Sequence, residues 1–575
     1  MKRIIVSILS LVMMLTFFAI PTHSKSDLMT EQFESGIQKL IDEGKAKGAI
    51  ATLIINQEIA MSKGFGYSDQ LSGIKAEQSY TGFRIGSISK TFVAVAALIA
   101  YQEGVLDLNK DISFYLENDF PKLKYPVTMH QLLTHTAGFE EVLTGMAVVN
   151  VSDTEPLNVS IRKYMPEQIH RPGEIASYSN YGIALAAYVI ERAVNEDFKD
   201  YCTNNLFLPL EMERTTFDYM TDKAYISKAY LPNGNETVDM YINLYPEGSV
   251  ISTSDDMGRY ILWLLSEEEK VLKKDIKDML FKRQYYMADE LGGIGYTWNR
   301  KIRNENTYYD KKGETLHFYS RIVLYPNQKA GLFLSFNTYV PEKQINKITD
   351  IITDYLLGEK DKRDPLPGAT ININGYYVNS WSGFQTAEKV LRFIIPGKLL
   401  YIKGSLSDGY KLNDEEMIHL GNNVYDTPMG IVKFIEKGSK LYLATDFSQA
   451  YIKISVFESP YVIGGIVLLF LLSCIIYLII ILKTKRGYFL IPTLQLISFI
   501  ALIVFLYIGL SSVTILNQLL YINISGWVIV ITFLINMALT YCIKKQVRKT
   551  TSYANIHNII SLLFSIVLLN MNFLN

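Results

Sequence analysis

Cysteine is the scarcest informative residue in this chain: there are three in 575 residues, and only Cys202 lies outside the hydrophobic C-terminal tail. A disulfide framework is therefore excluded from the rest of the chain, which must stand on its core alone. Cys202 also lacks the basic or helix-terminal surroundings that activate a thiol, so it is not read as a nucleophile. Excess charge of either sign is missing too. The 56 basic and 57 acidic residues leave a net charge of −1, which removes the electrostatic footprint of a nucleic-acid binder. Internal repeats and low-complexity tracts are absent. His130 and His135 stand five residues apart, but no carboxylate or third ligand accompanies them at useful spacing, so no metal is expected. Nothing in the chain calls for an organic cofactor.

What is present in quantity is apolar and aromatic surface, including 39 Tyr and 28 Phe, enough to bury a large core in several modules. Lys2 and Arg3 precede an almost wholly apolar run over 4–20, and Pro21-Thr22-His23-Ser24 follows it. Residues 1–24 thus read as an export signal cleaved near Ser24, with an uncleaved anchor as the alternative. At the other end, 462–482, 488–510, 521–543 and 556–574 are each long and apolar enough to span a bilayer, giving three to four transmembrane helices over 462–574. Lys483, Lys485 and Arg486 follow the first span, and Lys544, Lys545, Arg548 and Lys549 follow the third. With the bulk of the chain outside, both basic clusters fall on the cytoplasmic side, as the positive-inside rule requires.

Between these ends lie two further units. Residues 361–457 carry short β-prone runs separated by Gly, Asn and Asp, after a linker at Pro365-Leu366-Pro367-Gly368. They read as a small, barrel-like all-β domain without chemistry of its own. Residues 25–359 are mixed: strand-like stretches at both ends and helices between them predict a sheet assembled from the two termini of the unit.

The chemistry concentrates in that larger unit. Ser87-Ile88-Ser89-Lys90 follows Gly86 and opens an apolar helical run over 91–100. A helix beginning there places Ser87 and Lys90 on one face of its first turn, at the positive end of the dipole, where an oxyanion is favoured. A lysine enclosed by apolar groups can lose enough basicity to accept the serine proton. Ser160-Ile161-Arg162-Lys163 matches the same pattern but sits in a polar stretch, and is read as chance. Tyr178-Ser179-Asn180 offers a tyrosine to relay protons and an asparagine to orient the lysine or bind a substrate carbonyl.

Together these residues resemble the serine hydrolase family of penicillin-binding proteins, class C-like β-lactamases and D-amino-acid peptidases. The resemblance rests on four landmarks in order: Phe83-Arg84-Ile85-Gly86-Ser87-Ile88-Ser89-Lys90; Met129-His130-Gln131-Leu132-Leu133-Thr134-His135-Thr136-Ala137-Gly138; Pro172-Gly173 through Tyr178-Ser179-Asn180; and Gly248-Ser249-Val250-Ile251-Ser252-Thr253-Ser254. It implies an α+β catalytic domain, an antiparallel sheet flanked by helices with a helical lobe. It also implies two-step acyl transfer with Ser87, Lys90, Tyr178 and Asn180 as catalytic residues. The third element of the family departs from pattern here. Its place falls at Lys311-Lys312-Gly313, where Lys311 would hold an anionic substrate group and Gly313 would let the backbones approach. The amide of Glu314 would join that of Ser87 in an oxyanion hole, and His317 is the alternative functional residue. No counterpart of the deacylating glutamate of class A β-lactamases is visible. The substrate classes implied are D-amino-acid peptides, D-alanyl esters and β-lactam-like molecules, with membrane lipid as the other partner. A binding sensor for wall peptides or β-lactams is the competing reading.

Overall fold

The computed structural model describes residues 25–512, 524, 527–538 and 551–572, apart from 144, 220–224, 238–239, 362, 367–370, 396, 406 and 485–489. The expected signal at 1–24, the linker residues Pro367 and Gly368, the basic loop residues other than Lys483 and much of the expected third span lie outside the described residues.

A seven-stranded antiparallel sheet organises the larger unit. Its strands are β1 (Gly48–Ile55), β2 (Glu58–Asp69), β3 (Ile74–Lys75), β4 (Asn299–Arg303), β5 (Asn306–Glu314), β6 (Tyr319–Tyr325) and β7 (Ala330–Phe336), in the spatial order β3-β2-β1-β7-β6-β5-β4. The sheet is thus joined at its centre by the pairing of β1 with β7, Ala49 opposite Phe336 and Leu53 opposite Leu332. Side chains alternate between two cores because a strand repeats every two residues. Ala49, Ala51, Leu53, Leu332 and Leu334 face helices α1 (Lys25–Asp42) and α5 (Glu342–Leu357), through Phe33, Ile37, Ile348 and Ile352. Ile50, Ile54, Ile322, Leu324 and Phe333 face the opposite core, which contains helices α2 (Ser89–Gln102), α3 (Asn180–Val194) and α4 (Ser254–Leu265). Every residue of α2 from Ser89 to Ala100 is buried. A helix apolar all round can only sit inside a core, and this one carries the serine–lysine motif.

Eight antiparallel strands between Gly375 and Lys453 close into a barrel, the first pairing with both the second and the last. Closure removes the edge strands, and Tyr377, Leu400, Ile402, Tyr425, Val432, Phe434 and Leu443 fill the interior. Among the described residues, two helices, Pro460–Lys483 and Tyr553–Asn570, are long and apolar enough to cross a membrane. They pack through Phe470 and Phe564, stacked with centroids 4.1 Å apart. The barrel is fastened to this bundle: Asn572 Nδ2 donates to the carbonyls of Phe384 (2.9 Å) and Thr386 (3.1 Å).

Candidate active site

Ser87 lies in a 3₁₀ turn, Gly86–Ile88, that leads directly into α2. The tighter turn eclipses residues three apart, so Lys90 comes under Ser87 and its Nζ donates to the serine Oγ at 2.8 Å. Gly86 has φ +53°, and a Cβ there would stand 2.6 Å from the amide nitrogen of Glu314. Only glycine accommodates both that conformation and that approach. Tyr178 comes from the other side. Ser177 bridges to Gln449 of the barrel, and Ser179 caps α3 by accepting from the amide of Gly182 at 2.9 Å. The tyrosine is thereby held between two fixed neighbours, and its hydroxyl donates to Ser87 Oγ at 2.7 Å. The His135 ring stacks on it with centroids 4.5 Å apart, while His135 Nδ1 accepts from the amide of Ser179 at 3.2 Å. His130 bonds Tyr296 instead, at 3.0 Å.

Two acidic residues that carried no sequence signal enter this site. Glu247 accepts from Lys90 Nζ through its carboxylate at 2.7 Å and through its backbone carbonyl at 2.5 Å. Burial works against the Lys90 charge, but the Glu247 carboxylate and Tyr178 outweigh it and hold the ammonium above its ordinary range. The expectation of a lysine made less basic by its enclosure is corrected by that neighbour. Glu141 takes the amide group of Asn180, with Nδ2 donating at 2.6 Å and the backbone N–H at 3.1 Å. Asn180 was expected to orient the lysine or bind a substrate carbonyl: Glu247 orients the lysine, while one Nδ2–H of Asn180 goes to Glu141 and its side chain lines the cleft. Burial pushes the Glu141 carboxyl up to about 7, against the hydrogen bonds from Asn180. Both glutamates were hidden because a lone acidic residue has no period or motif. The only hint at Glu247 is a charge in the otherwise apolar, small-residue stretch Tyr245-Pro246-Glu247-Gly248-Ser249.

The third element takes its place on β5, paired so that Gly313 faces Ser320 and Lys311 faces Ile322. A Cβ on Gly313 would lie 1.9 Å from the carbonyl oxygen of Ile85, so the strand rests against the nucleophile turn only because that residue is glycine. Lys311 is buried, and burial together with the Lys90 charge pushes its ammonium well below its ordinary range. Next to it Asp310 is held ionised by Arg321 (2.9 and 3.1 Å) and Lys301 (2.9 Å). His317 lies in the following turn, its Nε2 3.2 Å from Thr237 Oγ1. The second serine–lysine match is dispersed: Ser160 is buried against the carbonyl of Asn243, and Lys163 is exposed beside Glu155. Cys202 is buried, and burial raises its thiol well above the ordinary range.

These groups open on a cleft of about 1090 Å³ lined by Ser87, Tyr178, Asn180, Lys311 and Glu314 on one side. Trp381, Phe447, Ser448 and Gln449 of the barrel line the other. The small β domain, read from sequence as chemically silent, forms a wall of the site. Its attachment is polar and buried: Ser380 Oγ donates to the carbonyl of Ala176 at 2.6 Å, and Ser177 Oγ donates to that of Ser380 at 3.1 Å. The amides of Phe384 and Gln385 donate to Glu140 at 2.6 and 2.9 Å.

The sequence profile of the Beta-lactamase family matches residues 33–355, more than half of the chain. Protein flp of Staphylococcus aureus (strain N315) is 26% identical over 336 residues, covering 56% of this chain and 66% of that one. The match thus spans just under two thirds of the length of that curated relative. In fold the chain is similar to the octameric penicillin-binding protein homologue from Pyrococcus abyssi (TM-score 0.50, 20% identity, 74% of this chain and 100% of that one). It is likewise similar to the D-alanine carboxypeptidase AmpC from Burkholderia cenocepacia (TM-score 0.50, 19% identity, 58% and 100%). With its serine, lysine and tyrosine gathered at one cleft, this chain belongs to the β-lactamase family of serine hydrolases.

Proposed function

We propose that this chain is a membrane-anchored, extracytoplasmic serine hydrolase that forms an acyl-enzyme on a D-amino-acid peptide, a D-alanyl ester or a β-lactam-like substrate. The observation that carries it is the convergence of Lys90 Nζ and Tyr178 OH on one oxygen, Ser87 Oγ. Ser87 attacks the substrate carbonyl, and the amides of Ser87 and Glu314 receive the developing oxyanion. Tyr178 then gives a proton to the leaving group, and water releases the acyl group. Lys311 faces the cleft with a charge opposed by burial and by Lys90, so an anionic substrate group is its natural counter-ion.

Anchoring rests on the two long apolar helices and on the basic residues at 483, 485, 486, 544, 545, 548 and 549. A cysteine at Ser512 should react with an impermeant thiol reagent on whole cells, one at Thr484 should not, and the reverse pattern refutes this topology. The chemistry is tested by intact mass. The wild type should gain one adduct with a fluorophosphonate or a penicillin, and Ser87→Ala should gain none. A second reading, a wall-peptide sensor, draws on the segment near 384–388. It contacts Glu140 and Leu143, which flank the site residue Glu141, and, through Asn572, the end of the last apolar helix. Binding of a wall peptide with no adduct from either probe would favour the sensor.

A further inference from the structure

Three hydrogen-bond donors are all that a lysine ammonium has, and at Lys90 all three are engaged. One points to Ser87 Oγ (2.8 Å), one to the Glu247 carbonyl (2.5 Å) and one to the Glu247 carboxylate (2.7 Å). A nitrogen so placed has no lone pair for the serine proton. It can take that proton only as it gives one up, and of its three partners only the carboxylate is a base.

We propose that Glu247 is a positioning residue of the acylation step that acts through Lys90, as the terminal acceptor of a two-proton relay. As the Ser87 Oγ–carbon bond forms, the carbonyl π pair moves onto the substrate oxygen. The Ser87 O–H bond breaks and its proton joins Lys90 Nζ, while a Lys90 N–H bond breaks and that proton joins Glu247 Oε2. The products are an oxyanion, an ammonium and a neutral carboxylic acid, so charge and protons balance without another reactant. The positive Lys90 is left facing the oxyanion rather than a carboxylate. On collapse the oxyanion pair re-forms the carbonyl, the leaving-group bond breaks and Tyr178 protonates the departing group. Lys90 then reprotonates Tyr178 while Glu247 returns its proton to Lys90, so all three recover their starting states.

The setting supports a working pair over a purely structural one. Both side chains are buried, Lys90 fully and Glu247 at 5% exposure, and a buried ion pair is weak evidence of stabilisation. Glu247 ends the short 3₁₀ turn Tyr245–Glu247, which packs against α2 and α3. The other titratable groups around the pair are Tyr178, Lys311, His135, Glu141 and Tyr219. The Lys311 ammonium, opposed by burial and by the Lys90 charge, is pushed well below its ordinary range, which leaves Glu247 as the ionised partner in direct contact with Lys90.

The inference rests on the hydrolase reading, and one experiment separates them. The full-length protein in detergent is labelled with a fluorescent fluorophosphonate from pH 5 to 10, and the rate is read by intact mass. No labelling of the wild type overturns the hydrolase reading and this relay with it. Given a labelled wild type, Glu247→Gln should slow labelling at pH 7 about a hundredfold. It should also move the acid limb of the pH profile up by about one unit or more, because a lysine then has to act alone. Glu247→Asp, which keeps the carboxylate, should keep the acid limb in place. A Glu247→Gln protein that labels at the wild-type rate with an unmoved profile, even if less heat-stable, overturns the relay. A wild-type measurement covers the case of variants that do not fold: labelling rate against deuterium fraction in mixed H₂O and D₂O should be curved, two protons being in flight, and a straight line overturns the proposal.

Discussion

Trp381 of the barrel meets Tyr178 of the hydrolase unit edge to face, ring centroids 5.7 Å apart. The residue next to it, Ser380, is hydrogen-bonded to the backbone two positions before the tyrosine. One ring therefore belongs to the reacting centre and the other to a separate fold. Trp381→Ala removes an aromatic contact worth about 1 kcal/mol and widens the cleft. It should raise KM for a chromogenic ester severalfold while kcat changes little, the signature of binding lost equally from ground and transition states. A fall in kcat at constant KM would instead place the indole in the chemical step.

Tyr178→Phe keeps the ring between His135 and Trp381 and loses only the hydroxyl that reaches Ser87. Melting temperature should move little, while turnover drops on the order of a hundredfold. A variant of lower melting temperature and full turnover per folded molecule would remove Tyr178 from the reaction.

Gly313→Ala tests the fit of strand to nucleophile turn. The new methyl would fall 1.9 Å from the Ile85 carbonyl oxygen and 3.1 Å from Ile88 Cγ1, so β5 must withdraw. The amide of Glu314 withdraws with it. Loss of an oxyanion donor costs about a hundredfold or more in kcat, and Ser320→Ala, across the strand pair, should serve as a near-normal control.

Glu141 makes stability depend on pH. Its folded carboxyl sits at about 7, above an unfolded value near 4.3. Below pH 4 both states are protonated and nothing is lost. Between pH 4.3 and 7 the unfolded chain ionises and the folded one resists, so stability falls as pH rises, by roughly 4 kcal/mol in all. Glu141→Gln carries no such charge. Thermal unfolding from pH 4 to 8 should show the wild type losing ground to Glu141→Gln across that window; parallel curves would refute the burial argument.

Asp310 is the opposite case, a buried carboxylate kept ionised by two cations. Asp310→Asn leaves Arg321 and Lys301 without their counter-charge beside Lys311. It should destabilise the unit by about 3–5 kcal/mol, measured by chemical denaturation of the full-length protein; a change below 1 kcal/mol would mean that the two cations find other partners.

How much of this was legible in the chain follows from the range of each interaction. Ser87 and Lys90 are three residues apart, so local spacing and an apolar helix announce them. The β1–β7 sheet centre was readable from strand-like runs at both ends of the unit. Gly313 could be located by counting back from β6, because strand pairing preserves register. Glu247 is 157 positions from Lys90, and Glu141 is 39 from Asn180; no periodicity links such partners. Nor could the barrel's place in the cleft be seen, since Trp381 and Gln449 belong to a domain whose own pattern specifies only its interior. The basicity of Lys90 was misjudged for the same reason: burial is visible in a hydrophobic pattern, while the one charge that reverses its effect is not.

The pairing of β1 with β7 at the centre of the sheet has a consequence for how the protein is made. Its two strands flank nearly the whole hydrolase unit, so β1 can pair at once with β2 but gains its second partner only when the last strand has been made. Contacts this remote in sequence form slowly, and the wall containing Trp381 and Gln449 is translated later still. The sheet closes at its centre only after the whole unit has been made, and the cleft acquires its full lining only when translation has passed the barrel.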